Sequence, residues 1–430
     1  MNNLILNPEI IIPSAQQDPL YNHYILITDG KIEKISSNLN PGNYPGHKLI
    51  PLPSSLVIPG LVNTHSHIAM TVLRGIAEDL PLESWLNDNI FPREKKLTSE
   101  IIYWGSMLGC WEMISSGITC FSDMYLFEDA VAQATVKSGL KALLGEGLFD
   151  FPSPNYGNLA QGFKYTQYLL EKYSDHQLIN ISVDPHTLYT CSLNTVIKAK
   201  NMADKYNAML SIHISETKNE NELISSKYGK TPVQLMYDNQ LLDDRLLAAH
   251  CVWISDREIE LLTQTETKVS HCPVSNLKLG SGIAPLSKLL KNQVTVSLGT
   301  DGPASNNRLD ILQDMKFAAI LEKGIHLDPQ YPNARTIFKI ATENGALCTG
   351  FPKSGMIKQG YDADLTVFDI SQPNALPLYD PFNYLIYAAS VKDVTHTIVN
   401  GNILMDNRKI QHLDIDEITA KIKEISKIIG

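Results

Sequence analysis

Alternating apolar and polar positions mark short strands at both ends of the chain. Residues 24–35 alternate around an Asp-Gly pair, which is typical of a tight hairpin turn. Residues 360–370 and 394–405 repeat the alternating pattern, the second of them around an Asn-Gly pair. We therefore predict that the two ends form one small β domain and that the middle of the chain is inserted between them.

The pattern changes at about residue 57. Short apolar runs now alternate with longer helix-like stretches, at intervals that suit repeated βα units. Several runs are apolar on both faces, as expected for strands of a covered parallel sheet. Eight runs occur, at residues 57–67, 117–124, 141–149, 178–187, 208–216, 246–252, 268–273 and 294–301. This pattern predicts an α/β fold in which eight βα units close into a barrel.

Composition narrows the class of partner. The 430 residues are 43% hydrophobic and 19% charged, and the net charge of -10 gives no basic surplus for a nucleic-acid polymer. A small, roughly neutral substrate fits better. No signal peptide and no membrane-spanning run is found in the sequence, so we expect a cytoplasmic protein with no membrane partner. Six scattered cysteines without CxxC spacing indicate buried thiols rather than disulfides or a cysteine-bound metal.

Polar side chains follow most of the predicted strands at their carboxyl ends. A βα barrel places its active-site groups at these ends, so the side chains are expected to meet at one mouth. Seven of the eight runs carry a metal-ligand or acid-base residue, and only the third run, which ends in Glu146 to Asp150, is weak. The residues are His65, His67, Asp123, His186, His213, Glu216, His250, His271 and Asp301.

A metal site is the first chemistry that these residues suggest. His65 and His67 are two apart on one strand, so both can point into the barrel mouth and bind one ion. Alone, an HxH pair is more often two polar residues of a loop. Together with His213 and Asp301 it gives three imidazoles and a carboxylate, a set that suits zinc with a water in the remaining position.

Four segments of the chain resemble a known family. They are PGLVNTHSH, the residues from His213 to Glu216, SHCPVSNLKLGSG and SLGTDGPASNN. The chain resembles the amidohydrolase superfamily from about residue 23 to residue 405, in its branch of methylthioadenosine/S-adenosylhomocysteine deaminases and triazine chlorohydrolases. The resemblance implies a (β/α)8 TIM barrel at 57–352 and a composite β-sandwich from residues 1–56 and 353–430.

The same resemblance implies one zinc ion held by His65, His67, His213 and Asp301. Branches of the superfamily with two metals bridge them through a lysine or glutamate early in the barrel, whereas here the fourth strand ends in Asp184, Pro185 and His186. One metal per chain is therefore expected, with iron or manganese as alternatives to zinc.

Three residues are candidates for proton transfer in the deamination of an adenine-type ring. Zinc lowers the pKa of a bound water toward about 7, which makes a nucleophile available at neutral pH. Glu216 is expected to protonate the ring nitrogen, and Asp301 to take the proton of the attacking water and pass it to the leaving amine. His250 would orient that water. The alternatives are a salt-bridged carboxylate at Glu216 and a structural histidine at His250.

Glu94 and His186 are the candidates for substrate binding. By resemblance, Glu94 binds ribose hydroxyls and His186 a ring nitrogen or the sugar, although alone these residues would be interpreted as a solvated helix face and a polar loop. Trp85 either walls the purine pocket or packs in the core. His271 and Asn276 match the family signature and would shape the mouth, not bind the metal.

The expected substrate is an adenine nucleoside. Some deaminases of the family hold the homocysteine carboxylate with arginines, but this chain has no arginine between Arg93 and Arg245, and Lys141 and Lys164 are the nearest basic candidates. Methylthioadenosine or adenosine is therefore favoured over S-adenosylhomocysteine. The alternatives are triazine chlorohydrolysis or deamination of guanine, cytosine or a pterin, and, in another class, an inactive structural barrel. A homo-oligomer is left open.

Overall fold

The computed structural model describes residues 3–80 and 82–430, which form a β-sandwich sheet and a parallel barrel. The strands, in chain order, are β1 (Leu4–Ile11), β2 (Leu20–Tyr21), β3 (Tyr24–Thr28), β4 (Lys31–Ser36), β5 (Lys48–Pro59), β6 (Leu61–Ser66), β7 (Ile118–Tyr125), β8 (Lys141–Leu148), β9 (Ile179–Pro185), β10 (Met209–Ile214), β11 (Leu246–His250), β12 (Lys268–His271), β13 (Val296–Leu298), β14 (Leu365–Asp369), β15 (Val394–Val399), β16 (Asn402–Asp406) and β17 (Lys409–Ile410).

Helices follow most of the barrel strands. Several begin at a residue whose side chain accepts a hydrogen bond from the first turn, such as Asn158, Ser192 and Ser255. The longer helices span Ser99–Ser115, Glu128–Ser138, Leu159–Lys172, Leu193–Tyr206, Lys218–Tyr228, Pro232–Asp238, Asp256–Gln264, Ile311–His326, Ala334–Ala341 and Ile415–Ile429. Shorter helices span Phe91–Glu94, Pro273–Lys278, Leu286–Lys291 and Glu343–Cys348.

The two ends of the chain share one sheet, as predicted. Its strand order is β17-β16-β15-β14-β5-β1-β3-β4, with β2 on the edge of β1. β5 joins the two halves, because it pairs in parallel with β1 and antiparallel with β14. The two predicted hairpin turns meet, since a Cβ on Gly30 would lie 2.5 Å from the carbonyl oxygen of Asn400. Glycine at position 30 is therefore required both by its φ of +77° and by this contact.

The barrel contains the eight predicted strands in sequence order, from β6 to β13. The first predicted run divides, because its residues 57–59 belong to the sandwich strand β5 and only 61–66 form β6. Between β13 and β6 the wall is closed by hydrogen bonds from the Thr64 hydroxyl to Leu298 O, at 2.9 Å, and from the Asp301 amide to His65 O, also at 2.9 Å. The barrel fold with its sandwich is thus confirmed, while the predicted domain boundaries stay a prediction.

The core of the barrel is apolar and continuous with the helices that surround it. All eight residues of β7 and all eight of β8 are buried, which agrees with strands covered on both faces. The six cysteines are free and buried, as the sequence indicated. Among residues 3–80 and 82–430, no helix has the length and apolar character needed to cross a bilayer.

Candidate active site

Most of the polar side chains predicted at the strand ends converge on one centre at the barrel mouth. His65 lies in β6 and His67 directly follows it, His213 comes from β10, His250 from β11, and Asp301 follows β13. The ligand atoms of His65, His67 and His213 lie within 4.8 Å of one another, as do those of His65, His250 and Asp301. The two groups share His65, so they describe a single centre with up to five donors.

The hydrogen bonds of these histidines fit a bound metal ion. His67 donates from Nδ1 to the Met124 carbonyl at 2.5 Å, and His213 donates from Nδ1 to the His186 carbonyl at 2.9 Å. Each bond fixes the ring so that Nε2 faces the centre, which is the usual arrangement around metal-binding histidines. Nε2 of His65 is buried without a hydrogen-bond partner, and a buried polar atom of this kind needs a ligand. The donor set therefore fits a divalent cation.

The charges of the site are arranged around Asp301. Burial opposes its ionised form, but the imidazoles of His65 and His67 beside its Oδ1 hold the pKa of Asp301 well below its usual range. Burial also favours a neutral His67, yet the Asp301 carboxylate, with Oδ1 at 3.1 Å from Nε2, raises the pKa of His67 to about 9. Burial lowers the pKa of His65 to about 4. A metal cation bound here would therefore face the ionised carboxylate of Asp301 and would displace a proton from His67.

Two serine hydroxyls hold the Asp301 carboxylate in one orientation. Its Oδ2 accepts hydrogen bonds from the hydroxyls of Ser275 at 2.5 Å and Ser305 at 2.9 Å, which leaves Oδ1 toward His65 and His67. The residue has a φ of +61°, a costly conformation for aspartate that the surrounding bonds maintain. A Cβ on the following residue, Gly302, would lie 2.8 Å from the Met70 sulfur, so a larger residue there would require the Met70 side chain to move.

Glu216 enters the cavity at the end of β10. Its backbone amide and that of Ser215 donate to the buried Glu220 carboxylate, at 2.8 and 3.0 Å, which fixes the turn that carries it. Its Oε1 accepts a hydrogen bond from the Ser281 hydroxyl at 3.3 Å. Burial raises the pKa of Glu216, although the nearby His250 opposes this shift. A raised pKa favours the protonated carboxyl that a general acid requires.

His250 lies between Glu216 and the candidate metal ligands. Its Nε2 is 3.9 Å from Glu216 Oε2, and its Nδ1 is 2.8 Å from Oδ1 of the buried Asn276. Nδ1 donates to this amide oxygen, so Nε2 is left as an acceptor that faces the cavity. His250 also has a positive φ, of +72°. The family signature residue Asn276 thus positions His250 and does not itself line the cavity.

The part of the cavity wall beside the histidine cluster holds the predicted substrate-binding residues. Glu94 is half-buried, burial raises its pKa, and its Oε1 accepts a hydrogen bond from the Tyr125 hydroxyl at 2.7 Å. The Nδ1 of His186 is 2.9 Å from the Thr190 hydroxyl, and burial with nearby positive charge lowers the pKa of His186 to about 3. Glu94, Tyr125 and His186 all line the cavity. The wall therefore offers a carboxyl group and a neutral imidazole.

The other candidate residues, Trp85, His271 and Asp123, are all buried, and of these Trp85 alone lines the cavity in the described part of the chain. Trp85 lines the cavity and is also buried in the apolar core, while its contact with a purine stays a prediction. His271 is buried beside His250 and belongs to neither ligand group, as expected. Asp123 is fully buried behind the site, where its Oδ1 accepts from Ser66 and from the Ile68 amide.

The two nearest basic candidates, Lys141 and Lys164, lie away from the cavity. Lys141 is the first residue of β8, at the end of the barrel away from the mouth, and it is buried in ion pairs with Asp362 at 2.8 Å and Asp364 at 2.7 Å. It joins the barrel to the sandwich domain. Lys164 lies on the exposed face of the helix Leu159–Lys172. Neither side chain lines the cavity.

Two residues of the site were not identified from the sequence. Tyr125 ends an apolar strand, where an aromatic residue is typical of a core, and nothing in the pattern connects it with Glu94. Ser281 lies in a Gly-Ser-Gly turn 65 residues from Glu216. The turn belongs to the SHCPVSNLKLGSG segment that carries the family resemblance, and its small residues were the only sequence signal that it contributes to the site.

Comparison with known proteins agrees with this arrangement. The amidohydrolase family model matches residues 56–404. A 5-methylthioadenosine/S-adenosylhomocysteine deaminase of Syntrophobacter fumaroxidans is 44% identical over 375 residues, which cover 87% of this chain and 86% of that protein.

Solved structures give the same fold. An adenosine deaminase from Xanthomonas campestris with bound zinc has a TM-score of 0.97 and 31% identity, over 99% of this chain and 98% of that one. An atrazine chlorohydrolase from Arthrobacter aurescens, complexed with zinc, has a TM-score of 0.91 at 22% identity, over 98% and 100% of the two chains. The latter likeness concerns the fold alone.

Proposed function

This chain belongs to the amidohydrolase family, and on that premise we propose that it hydrolyses the 6-amino group of an adenine nucleoside to give the inosine analogue and ammonia. The observation that carries the proposal is one cavity that brings together members of the metal-ligand cluster, Glu216, and the hydrogen-bonded pair of Glu94 and Tyr125. A metal site with an acid suits attack on an electron-poor ring, and a further carboxyl group in the cavity suits ribose hydroxyls. The named activity of the relatives supports this substrate class.

We assign the metal site to one zinc ion per chain, with His65, His67, His213 and Asp301 as ligands. The two potential ligand groups share His65, and the similar adenosine deaminase contains zinc, which supports a single zinc centre. When bound, zinc lowers the pKa of a coordinated water toward about 7. Iron or manganese would also accept this mixture of imidazole and carboxylate.

The residues of the chain then move the protons. Glu216 gives its proton to the ring nitrogen beside the reacting carbon, which makes that carbon electrophilic. Asp301 Oδ1 takes a proton from the attacking water, which His250 Nε2 orients. The oxygen of the water forms the new bond to carbon, and Asp301 passes its proton to the amino group, which leaves as ammonia when the C–N bond breaks. The proton that remains on the new oxygen returns to Glu216, which gives the carbonyl of the product and restores the acid. His186 and Glu94 hold the ring and the ribose.

The proposal is tested with adenosine, methylthioadenosine and S-adenosylhomocysteine in parallel. We expect the absorbance change from the adenine to the hypoxanthine chromophore, equal release of ammonia, and one zinc per chain by elemental analysis. Removal of zinc with a chelator should abolish turnover and zinc addition should restore it. No turnover of any adenine nucleoside by the zinc-containing protein would favour a triazine, guanine, cytosine or pterin ring instead. Two tightly bound zinc ions per chain would contradict the single centre.

The Ser281 hydroxyl should set the pH range over which Glu216 acts as an acid. Its hydrogen bond stabilises the carboxylate and lowers the pKa of Glu216, so Ser281→Ala should raise that pKa. Activity is lost when Glu216 ionises, and the alkaline limb of kcat against pH should therefore move upward, by about 0.5–1 pH unit. A matched Ser226→Ala variant, on the exposed face of the helix Lys218–Tyr228, should keep the wild-type profile. A downward shift in Ser281→Ala would contradict this role.

A further inference from the structure

The turn that carries Glu216 has a strained backbone. Ser215, the residue before Glu216, is not a glycine but has a φ of +53°. This left-handed conformation is costly for a serine and persists only where the surrounding structure holds it. The next strand holds the carbonyl side of the turn, because the Ser215 carbonyl accepts hydrogen bonds from the amides of Val252 and Trp253 at 3.0 and 2.8 Å. The amide side of the turn needs a separate partner.

The carboxylate of Glu220 is the partner of the amide side. One of its oxygens accepts a hydrogen bond from the Ser215 amide at 3.0 Å, and the other accepts from the Glu216 amide at 2.8 Å. Glu220 is 3% exposed, so an amide that lost this bond would be buried without an acceptor, which is unfavourable. A glutamine side chain has only one acceptor oxygen and could not serve both amides. The turn therefore requires a carboxylate at position 220.

A second glutamate of the chain shows how unusual this contact is. Glu220 is the third residue of the helix Lys218–Tyr228, and Glu258 is the third residue of the helix Asp256–Gln264. Glu258 forms an ordinary capping box, in which it accepts from the amide of its N-cap residue, Ser255, at 2.7 Å. Glu220 reaches past its own N-cap to the two residues before it. Its carboxylate therefore holds the end of the preceding strand as well as its own helix.

We propose that Glu220 is a positioning residue for the deamination and that it acts through Glu216, whose carboxyl it keeps within reach of the ring nitrogen. The inference rests on the proposed function. Proton transfer requires a donor at hydrogen-bond distance from its acceptor, and a displacement of about 1 Å can lower a rate about 10²-fold. Without the two amide bonds the turn can relax at Ser215 and carry Glu216 away from the ring. Ser281 has a different role, because it bonds the Glu216 carboxyl itself.

The kinetics of Glu220→Gln with methylthioadenosine test the proposal. We expect kcat to fall about 10- to 100-fold while KM and the zinc content stay close to the wild-type values, because the misplaced acid acts in the transition state. Glu258→Gln is the matched control, since it changes the corresponding position of another helix and Glu258 is also buried, at 4% exposure. It should lower the midpoint of thermal unfolding and keep the wild-type kcat. Equal losses of kcat in the two variants would overturn the proposal.

A double-mutant cycle separates positioning from a general loss of structure. If Glu220 acts through Glu216, Glu220→Gln should change kcat less than about threefold once Glu216→Gln is present. A further loss as large as in the wild-type background would overturn the proposal. If Glu220→Gln does not fold, Glu220→Asp takes its place in the cycle, because aspartate keeps two acceptor oxygens with a shorter reach. It should show a smaller loss of kcat that also disappears in the Glu216→Gln background, and a loss that persists there would overturn the proposal. Failure of the wild-type zinc protein to deaminate any adenine nucleoside would instead contradict the proposed function.

Discussion

Replacement of Glu216 by glutamine should lower kcat about 10²- to 10⁴-fold while the zinc content stays that of the wild-type protein. Glutamine preserves the size of the side chain and can still accept the hydrogen bond from Ser281. It cannot give a proton to the ring nitrogen, so the carbon under attack remains poorly electrophilic. The loss should appear in kcat more than in KM, because the interaction is made in the transition state.

The measurements are turnover of methylthioadenosine, elemental analysis and thermal unfolding. Glu222→Gln is the matched control, since Glu222 lies on the next helix with a side chain that is 64% exposed. It should retain full activity. A Glu216→Gln enzyme within tenfold of the wild-type rate would show that this carboxyl is not the acid, and loss of zinc from that variant would show that it supports the metal instead.

The strand ends account for most of what could be predicted from the sequence. The spacing of His65 and His67 follows the two-residue period of a strand, and a barrel brings every strand end to one mouth whatever the distance along the chain. His213, His250 and Asp301 therefore met in the structure as expected. Here topology, and not local sequence, brings distant residues together, and topology could be inferred from the eight repeated runs.

Contacts that depend on side-chain direction could not be predicted in this way. Tyr125 and Glu94 meet only because a short helix folds over the barrel mouth, and no period relates the two residues. Lys141 is a basic candidate by its position in the sequence, but the first residue of a barrel strand lies at the end opposite the mouth. Proline is a second reason why the sequence misleads. β1 lies between β5 and β3 although it contains Pro8, and proline is normally confined to edge strands because it lacks an N–H donor. It is accommodated by a register shift between Pro8 and Ile10.

Some expectations depend on facts outside a single folded chain. The roles of the ligand residues stay predictions because they depend on the reaction. The cytoplasmic location and an assembly of several copies stay predictions because they depend on the cell and on contacts between chains. The lining of the cavity is different, since the folded chain alone decides which side chains form it. The absence of arginine from residues 94–244 gains a physical meaning in this way, because no lysine or arginine of the described residues lines the cavity.

The other large effect is expected from Asp301→Asn, which should lower kcat/KM about 10²- to 10⁴-fold and weaken zinc binding. The amide has nearly the shape of the carboxylate and can still accept from the Ser275 and Ser305 hydroxyls, so the loop should keep its conformation. It lacks the negative charge that faces His65 and His67, and it cannot accept a proton from water.

Measuring kcat at increasing zinc concentration separates these two losses. If Asp301 only binds metal, saturating zinc should restore turnover; if it also transfers the proton, a deficit of about 10²-fold or more should persist at full zinc occupancy. Asp256→Asn is the control, because Asp256 is 77% exposed and pairs with Lys288 on the surface. Full recovery of Asp301→Asn with zinc would remove Asp301 from the proton path and leave His250 as the group closest to the water.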